Sequence, residues 1–178
     1  MTQTARTIAE ILALAPNDTT RDISPRDLRD IIATLQVKYG ELYITASAAT
    51  TISDTTNFFD LAGTWMLGEA EQFNETGGNG RLTYVGTPTI EVFVWGMASI
   101  NSAGTGDTAY MRLEKNGADL PGSESVEFEV GTAILEFTAF GILEMATDDY
   151  VNLAVRNETD TDDLTATLGH MVAVGIAK

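Results

Sequence analysis

The spacing of the apolar residues changes at Gly40, and this change limits the possible folds more than any other feature of the sequence. Before Gly40 the apolar side chains recur every three or four residues, which is typical of a helix. Beyond Gly40 they alternate with a period of two, which is typical of a strand. The sequence therefore predicts a short helical arm over residues 1–39 followed by a mainly β domain over residues 40–178.

The arm carries the signals of two short helices separated by a turn. Thr7 and Glu10 have capping-box spacing, Pro16 ends the first helix, and Ser24 with Pro25 begins the second. Helices of this length are marginal in isolation, so their apolar side chains need a partner surface. That surface is either the chain's own β domain or another subunit, and the sequence leaves both alternatives open. The side chains concerned are Ile8, Ile11, Leu12, Leu28, Ile31, Ile32 and Leu35.

The β domain is divided into short strands by turn-rich loops. The Gly-Gly-Asn-Gly run at 77–80 and the pair Asn116-Gly117 are strong hairpin signals. About eight main strands at this spacing favour a two-sheet β-sandwich of the jelly-roll type. The predicted strands are 41–52, 58–61, 81–85, 89–100, 107–115, 123–130, 133–145, 150–156 and 164–176.

The strand at 89–100 alternates over its whole length and is apolar on both faces, which predicts a strand buried on both sides. Large aromatic side chains lie on this and the other long strands. Core filling is the default interpretation of such residues, and a subunit interface is the alternative, because aromatic residues are enriched there. The candidates for a trimer interface are Phe93, Trp95, Phe137, Phe140 and Tyr150.

The net charge of −16 is confined to the β domain. Residues 1–40 contain five basic and five acidic side chains, so all of the excess lies beyond them. Such an acidic surface repels the phosphate backbone, and we expect no nucleic-acid partner. No apolar stretch is long enough for a membrane span and no signal-peptide pattern is present, so we expect a protein made in the cytoplasm without a membrane partner.

Catalytic and cofactor chemistry find little support in the sequence. There is no cysteine, and His170 is the only histidine, so we expect neither an enzyme nor a cofactor. Glu158, Asp160, Asp162 and Asp163 form an acidic loop whose oxygens suit Ca²⁺. The loop lacks EF-hand spacing, and runs of like charge usually face water, so the sequence favours a solvated loop without a metal.

Several longer phrases resemble known families. DISPRDLRDII at 22–32 resembles a segment that precedes many predicted phage virion proteins, and GELYIT at 40–45 resembles the strand that follows it. NGRLTYVGTPTIEVFVWGMASI (79–100), YMRLEKNGADLPGSES (110–125) and ATDDYVNLAVRNETDTDDLT (146–165) resemble the trimeric jelly roll of the tumour-necrosis-factor and complement-globular-head type. This resemblance implies a ten-stranded, two-sheet sandwich that forms a threefold homotrimer through aromatic and aliphatic side chains.

The resemblance also implies a virion setting, since phage versions of the module serve as capsid decoration proteins, head fibres and tail-fibre tips. We therefore expect a trimeric capsid cement protein on the capsid exterior, whose arm anchors it to the major capsid protein. The alternative is a trimeric head-fibre or tail-fibre tip that binds a host surface receptor. A carbohydrate-binding module is a third interpretation, which predicts a secretion signal that the sequence lacks.

Overall fold

The computed structural model describes residues 37–176. All anchoring residues of the predicted helical arm, and residues 1–36 as a whole, lie outside the described part of the chain, while Tyr39 at the end of the predicted arm already belongs to a strand. Within residues 37–176 the regular structure is entirely β, and no helix there is long and apolar enough to cross a membrane.

Twelve strands form the described part of the chain. They are β1 (Tyr39–Thr50), β2 (Phe59–Asp60), β3 (Gly63–Glu71), β4 (Phe73–Thr76), β5 (Arg81–Tyr84), β6 (Ile90–Ser102), β7 (Asp107–Lys115), β8 (Ala118–Asp119), β9 (Ser125–Val130), β10 (Leu135–Met145), β11 (Tyr150–Asn157) and β12 (Leu164–Ile176).

The strands form two antiparallel sheets. One sheet has five strands in the order β10-β6-β12-β1-β3. The other has seven, with β4-β5-β11-β7-β8 as its main path and with β2 and β9 paired to β11 and β7. Both sheets contribute to one apolar core, in which Val94, Phe137 and Leu153 are almost fully buried. The predicted mainly β, two-sheet sandwich is confirmed, and the connections β6 to β7 and β11 to β12 pass from one sheet to the other, as in a jelly roll.

The predicted hairpin at Asn116-Gly117 is also confirmed. Lys115 pairs with Ala118, so the loop has two residues. Asn116 and Gly117 have φ values of 53° and 74°, the left-handed backbone that a type I′ turn needs at both central positions.

Residues 62–80 show no clear strand pattern in the sequence, yet the structure has β3 and β4 there. β3 is an edge strand of the five-stranded sheet and pairs only with β1, while β4 pairs with β5. Most β3 side chains are exposed or half-buried, so few of them need to be apolar. These strands depend on pairing with partners elsewhere in the chain, which the local pattern does not record.

Candidate subunit interface and acidic cluster

The face of the five-stranded sheet that points away from the core is largely apolar. Directly opposed residues of an antiparallel pair project to the same side, so the strand register defines this surface row by row. In one row Ile142 lies opposite Phe93, which lies opposite Val174, which lies opposite Tyr39. We call this surface the outward apolar face; its residues are Tyr39, Tyr43, Met66, Phe93, Trp95, Met97, Phe140, Ile142, Val172 and Val174.

The next row crosses the centre of the outward apolar face. Phe140 lies opposite Trp95, Trp95 opposite Val172, and Val172 opposite Glu41. Phe140 is 59% exposed although it is a large aromatic side chain. Within residues 37–176 the aromatic surface at the centre of the face is therefore left uncovered.

The third row carries the chain's only histidine. Met97 lies opposite His170, which lies opposite Tyr43. His170 Nε2 is 2.8 Å from Glu41 Oε1, and its ring meets Trp95 edge-on with 6.0 Å between ring centroids. The histidine thus packs within the outward apolar face, with no nucleophile among the contacts that the structure gives it.

The other face of β6 points into the core, where Val92, Val94 and Ala98 are fully buried. On the outward face Phe93 is exposed and Trp95 half-buried. Within residues 37–176 no layer covers the outward side of this strand, so the prediction that it is buried on both sides is not confirmed by the described part of the chain. The aromatic pattern has a different cause, which is the exposed sheet surface itself.

The five predicted interface aromatics do not lie together. Phe93, Trp95 and Phe140 share the outward apolar face. Phe137 is three positions from Phe140, points to the opposite side of β10 and is only 1% exposed, so it fills the chain's own core. Tyr150 lies on β11 in the other sheet, where the Arg81 guanidinium stacks 4.6 Å from its ring centroid. For Phe137 the structure corrects the expectation, since a side chain enclosed by its own chain cannot contact another subunit.

Sequence reasoning missed several members of the outward apolar face. Ile142, Val172 and Val174 stand two residues apart from other members on β10 and β12, so period-two alternation was the available signal. Tyr43 is joined to the face by the pairing of β1 with β12, and Met66 by the pairing of β1 with β3, and no local pattern indicates them.

The outward face of the seven-stranded sheet has the opposite character. Arg112 pairs with Glu114 at 2.5 Å and lies 3.8 Å from the Phe58 ring centroid. Arg156 lies 4.4 Å from the Tyr110 ring centroid and 3.5 Å from a Glu158 oxygen. The charged side chains named here pair within the chain, so this side differs in character from the outward apolar face.

The predicted acidic loop divides into two pairs. Asp163 Oδ1 accepts a hydrogen bond from the Ile52 N–H, and Glu158 accepts one from the Tyr110 hydroxyl. Asp160 and Asp162 instead approach Asp107, the first residue of β7. One carboxylate oxygen of each of the three residues lies within 4.8 Å of the other two.

Within residues 37–176 no salt bridge balances the charges of this trio. Repulsion from Asp160, followed by partial desolvation and repulsion from Asp107, raises the pKa of Asp162 above its ordinary value. Sequence reasoning missed Asp107 because it stands far from the acidic loop along the chain and only the fold brings it there. We call Asp107, Asp160 and Asp162 the acidic cluster.

No family model and no curated protein sequence matches the chain. Among solved structures, murine APRIL matches with a TM-score of 0.53 at 10% identity, covering 79% of this chain and 100% of that one. Eiger TNF from S. frugiperda matches with a TM-score of 0.53 at 15% identity, covering 80% and 92%. PRD1 vertex protein P5 matches with a TM-score of 0.43 at 10% identity, covering 78% of this chain and 96% of that one. At these identities the likeness shows the fold alone, and that fold is a jelly roll like that of Eiger TNF.

Proposed function

We propose that this chain is a capsid cement protein, which forms a homotrimer on the capsid exterior and binds the major capsid protein. The observation that supports the proposal most directly is the outward apolar face. Monomeric proteins seldom expose contiguous apolar surface of this kind unless it has a partner. The partner that we assign to it is the same face of two further copies of the chain.

The side chains of this face suit a subunit interface. Burying a large apolar side chain contributes about 1.5 to 3 kcal/mol, and Phe140, Ile142 and Met66 are each about half exposed or more in the single chain. Glu91 and Glu144 lie opposite each other beside the apolar rows, and Glu41, which lies within the face on β1, contacts His170 at 2.8 Å. An apolar centre with a polar rim is the usual anatomy of a protein interface.

The distribution of charge supports an outward-facing trimer. With the outward apolar faces together, the salt-bridged faces of the seven-stranded sheets remain in water, where the acidic surface keeps the particle soluble. The sequence resemblance to the trimeric tumour-necrosis-factor and complement-head jelly roll supports the same arrangement.

In this proposal the arm binds the major capsid protein and so anchors the trimer to the capsid. Residues 1–36 carry four basic and five acidic side chains, so they lack the strong negative charge of the β domain. In a trimer three arms bind at once, and linked contacts raise the overall affinity without any new chemistry. Such a trimer stabilises the shell mechanically, because separating the capsid subunits requires breaking several arm contacts together.

The test begins with the mass of the full-length protein by light scattering and continues with cryo-electron microscopy of empty capsids mixed with it. The proposal expects a trimer and regular knobs at threefold or quasi-threefold positions. A trimer that ignores capsids but binds host cells would assign the protein to the fibre-tip alternative. A monomer would contradict the proposal at its first step.

A further inference from the structure

Two connections between the sheets meet at one end of the sandwich. Residues 103–106 join β6 to β7, and residues 158–163 join β11 to β12. The Ala103 N–H donates a hydrogen bond of 3.0 Å to the carbonyl oxygen of Asp163, which holds the two connections side by side. The acidic cluster lies where they meet.

Asp107 has an unusual environment for a carboxylate. It is 1% exposed; its Oδ2 accepts a hydrogen bond from the Ser102 hydroxyl, while its Oδ1 is buried and has no hydrogen-bond partner. Within residues 37–176 no basic side chain forms a salt bridge with any member of the acidic cluster. Buried charges in proteins are ordinarily paired or bound to a metal, because an uncompensated one is costly.

The β11–β12 connection holds its two carboxylates in place before any ligand binds. Asn157 is fully buried, and its Nδ2 donates to Asp160 Oδ1 at 3.1 Å and to the Asp162 carbonyl oxygen at 3.3 Å. The Asp162 N–H donates to Asp160 Oδ1 at 2.8 Å. These bonds fix the loop so that the carboxylates converge despite their repulsion, and a converging set of this kind reduces the ordering cost of binding a ligand.

In the β6–β7 connection Gly104 lies beside the carboxylates, and it has no side chain to fill the space next to them. A Cβ at Gly104 would overlap Asp162 Oδ2 and lie 3.0 Å from Asp107 Oδ2. Glycine at this position therefore lets the backbone approach both carboxylates closely.

We propose that Asp107, Asp160 and Asp162 together bind one Ca²⁺ ion, which ties the β6–β7 connection to the β11–β12 connection. Ca²⁺ binds oxygen at about 2.4 Å, so two ligands on opposite sides of the ion stand about 4.8 Å apart. The three carboxylate oxygens of the acidic cluster lie within 4.8 Å of one another, which is close enough for one ion to contact all of them. Mg²⁺ usually keeps several of its waters and is seldom held by a set of protein oxygens alone, so Ca²⁺ is the ion that we assign.

The ion supplies the positive charge that residues 37–176 lack at this point, and it compensates the buried carboxylate of Asp107. Because each connection crosses between the sheets, the ion stabilises that end of the sandwich. This site is independent of the outward apolar face, so it does not rest on the proposed assembly.

Thermal unfolding of the full-length protein in EDTA, in Ca²⁺ and in Mg²⁺ tests the site, with Asp162→Asn as the variant. Asp162 is half-buried, and its change to asparagine removes one charge while keeping the shape. Asp148→Asn is the matched control, since it removes one charge from an exposed turn outside the acidic cluster. At a Ca²⁺ concentration one hundred times Kd we expect a rise in Tm of about 5 to 10 °C for the wild type.

We expect the same rise for Asp148→Asn and at least a tenfold weaker Ca²⁺ affinity for Asp162→Asn by calorimetric titration. In EDTA the Asp162→Asn protein should be as stable as the wild type or more so, because the change removes repulsion. In Ca²⁺ the wild type should therefore have the higher Tm, whereas in EDTA its Tm should not exceed that of Asp162→Asn. Equal Ca²⁺ responses of wild type and Asp162→Asn, equal responses to Ca²⁺ and Mg²⁺, or no response at all would each overturn the proposal.

Discussion

Phe140 on β10 lies directly opposite Trp95 on β6, and both side chains leave the sandwich on the side away from the core. Phe140 is 59% exposed in the single chain. A cross-strand aromatic pair is a common stabilising feature of a sheet, yet within residues 37–176 nothing covers this one. This pair is therefore the most direct point at which to test assembly.

Replacing Phe140 by aspartate should prevent trimer formation, because it places an unpaired charge at the centre of the proposed interface. We expect the mass measured by light scattering to fall from that of three chains to that of one chain of 19.1 kDa. Circular dichroism should show an unchanged β spectrum, since Phe140 takes no part in the core.

Phe128→Asp is the matched control for this change. Phe128 is 66% exposed, but it lies on β9 of the other sheet. We expect this variant to remain a trimer. Loss of the trimer in both variants, or in neither, would show that the outward apolar face is not the specific contact.

Removing residues 1–36 should leave a folded trimer that no longer decorates capsids. The cut is placed before Val37 because the carbonyl oxygen of Lys38 accepts a hydrogen bond of 2.6 Å from the Gly175 N–H. This bond extends the pairing of β1 with β12 to Lys38. Light scattering and electron microscopy of mixed capsids measure the two properties separately. Full occupancy of capsids by the shortened protein would assign the anchoring contacts to the β domain instead.

Asp149→Asn should destabilise the protein by about 1 to 2 kcal/mol at pH 7. Burial raises the pKa of Asp149, but hydrogen bonds from Lys115, Asn116 and the Ala146 N–H outweigh it and leave the pKa below its ordinary value. A carboxylate whose pKa is depressed by folding stabilises the protein above its unfolded pKa of about 4. That contribution is lost as the pH falls through the lower folded value.

Urea denaturation of wild type and Asp149→Asn at pH 7 and at several values below pH 4 measures this difference. We expect the gap in unfolding free energy to close as the pH falls. Asp148→Asn changes the neighbouring residue, which is exposed, and should differ little from wild type at either pH. A gap that stays constant with pH would mean that the ionised form of Asp149 is not what stabilises the turn.

Gly117→Ala should destabilise the protein by about 1 kcal/mol, because an alanine Cβ is strained at φ 74°. Gly131→Ala is the control: a Cβ there would meet its nearest neighbours at 3.6 Å, which is ordinary contact, and its backbone is not left-handed. Urea denaturation at equal protein concentration compares them. Equal losses in both variants would show that the left-handed backbone at position 117 is not the cause.

Much of the fold was predictable because its signals are local. The alternation of β6 and the Asn116-Gly117 turn follow from side-chain period and backbone preference, which need no information about distant residues. The β3 and β4 strands were not predictable in this way, since they exist through pairing with β1 and β5. The same limit applies to Phe137 and Phe140, whose aromatic rings are alike in sequence while their positions on opposite sides of β10 decide their environments.

The sequence by itself determined the β class, the main turns and the confinement of the negative charge to the β domain, because each of these depends on composition or on neighbours along the chain. Only the tertiary structure decided which side of the five-stranded sheet remains uncovered and which carboxylates meet. Asp107 and Asp162 are 55 positions apart in sequence, yet their carboxylate oxygens lie within 4.8 Å. Proximity of that kind comes from the crossing of two strand connections, and no local pattern encodes it.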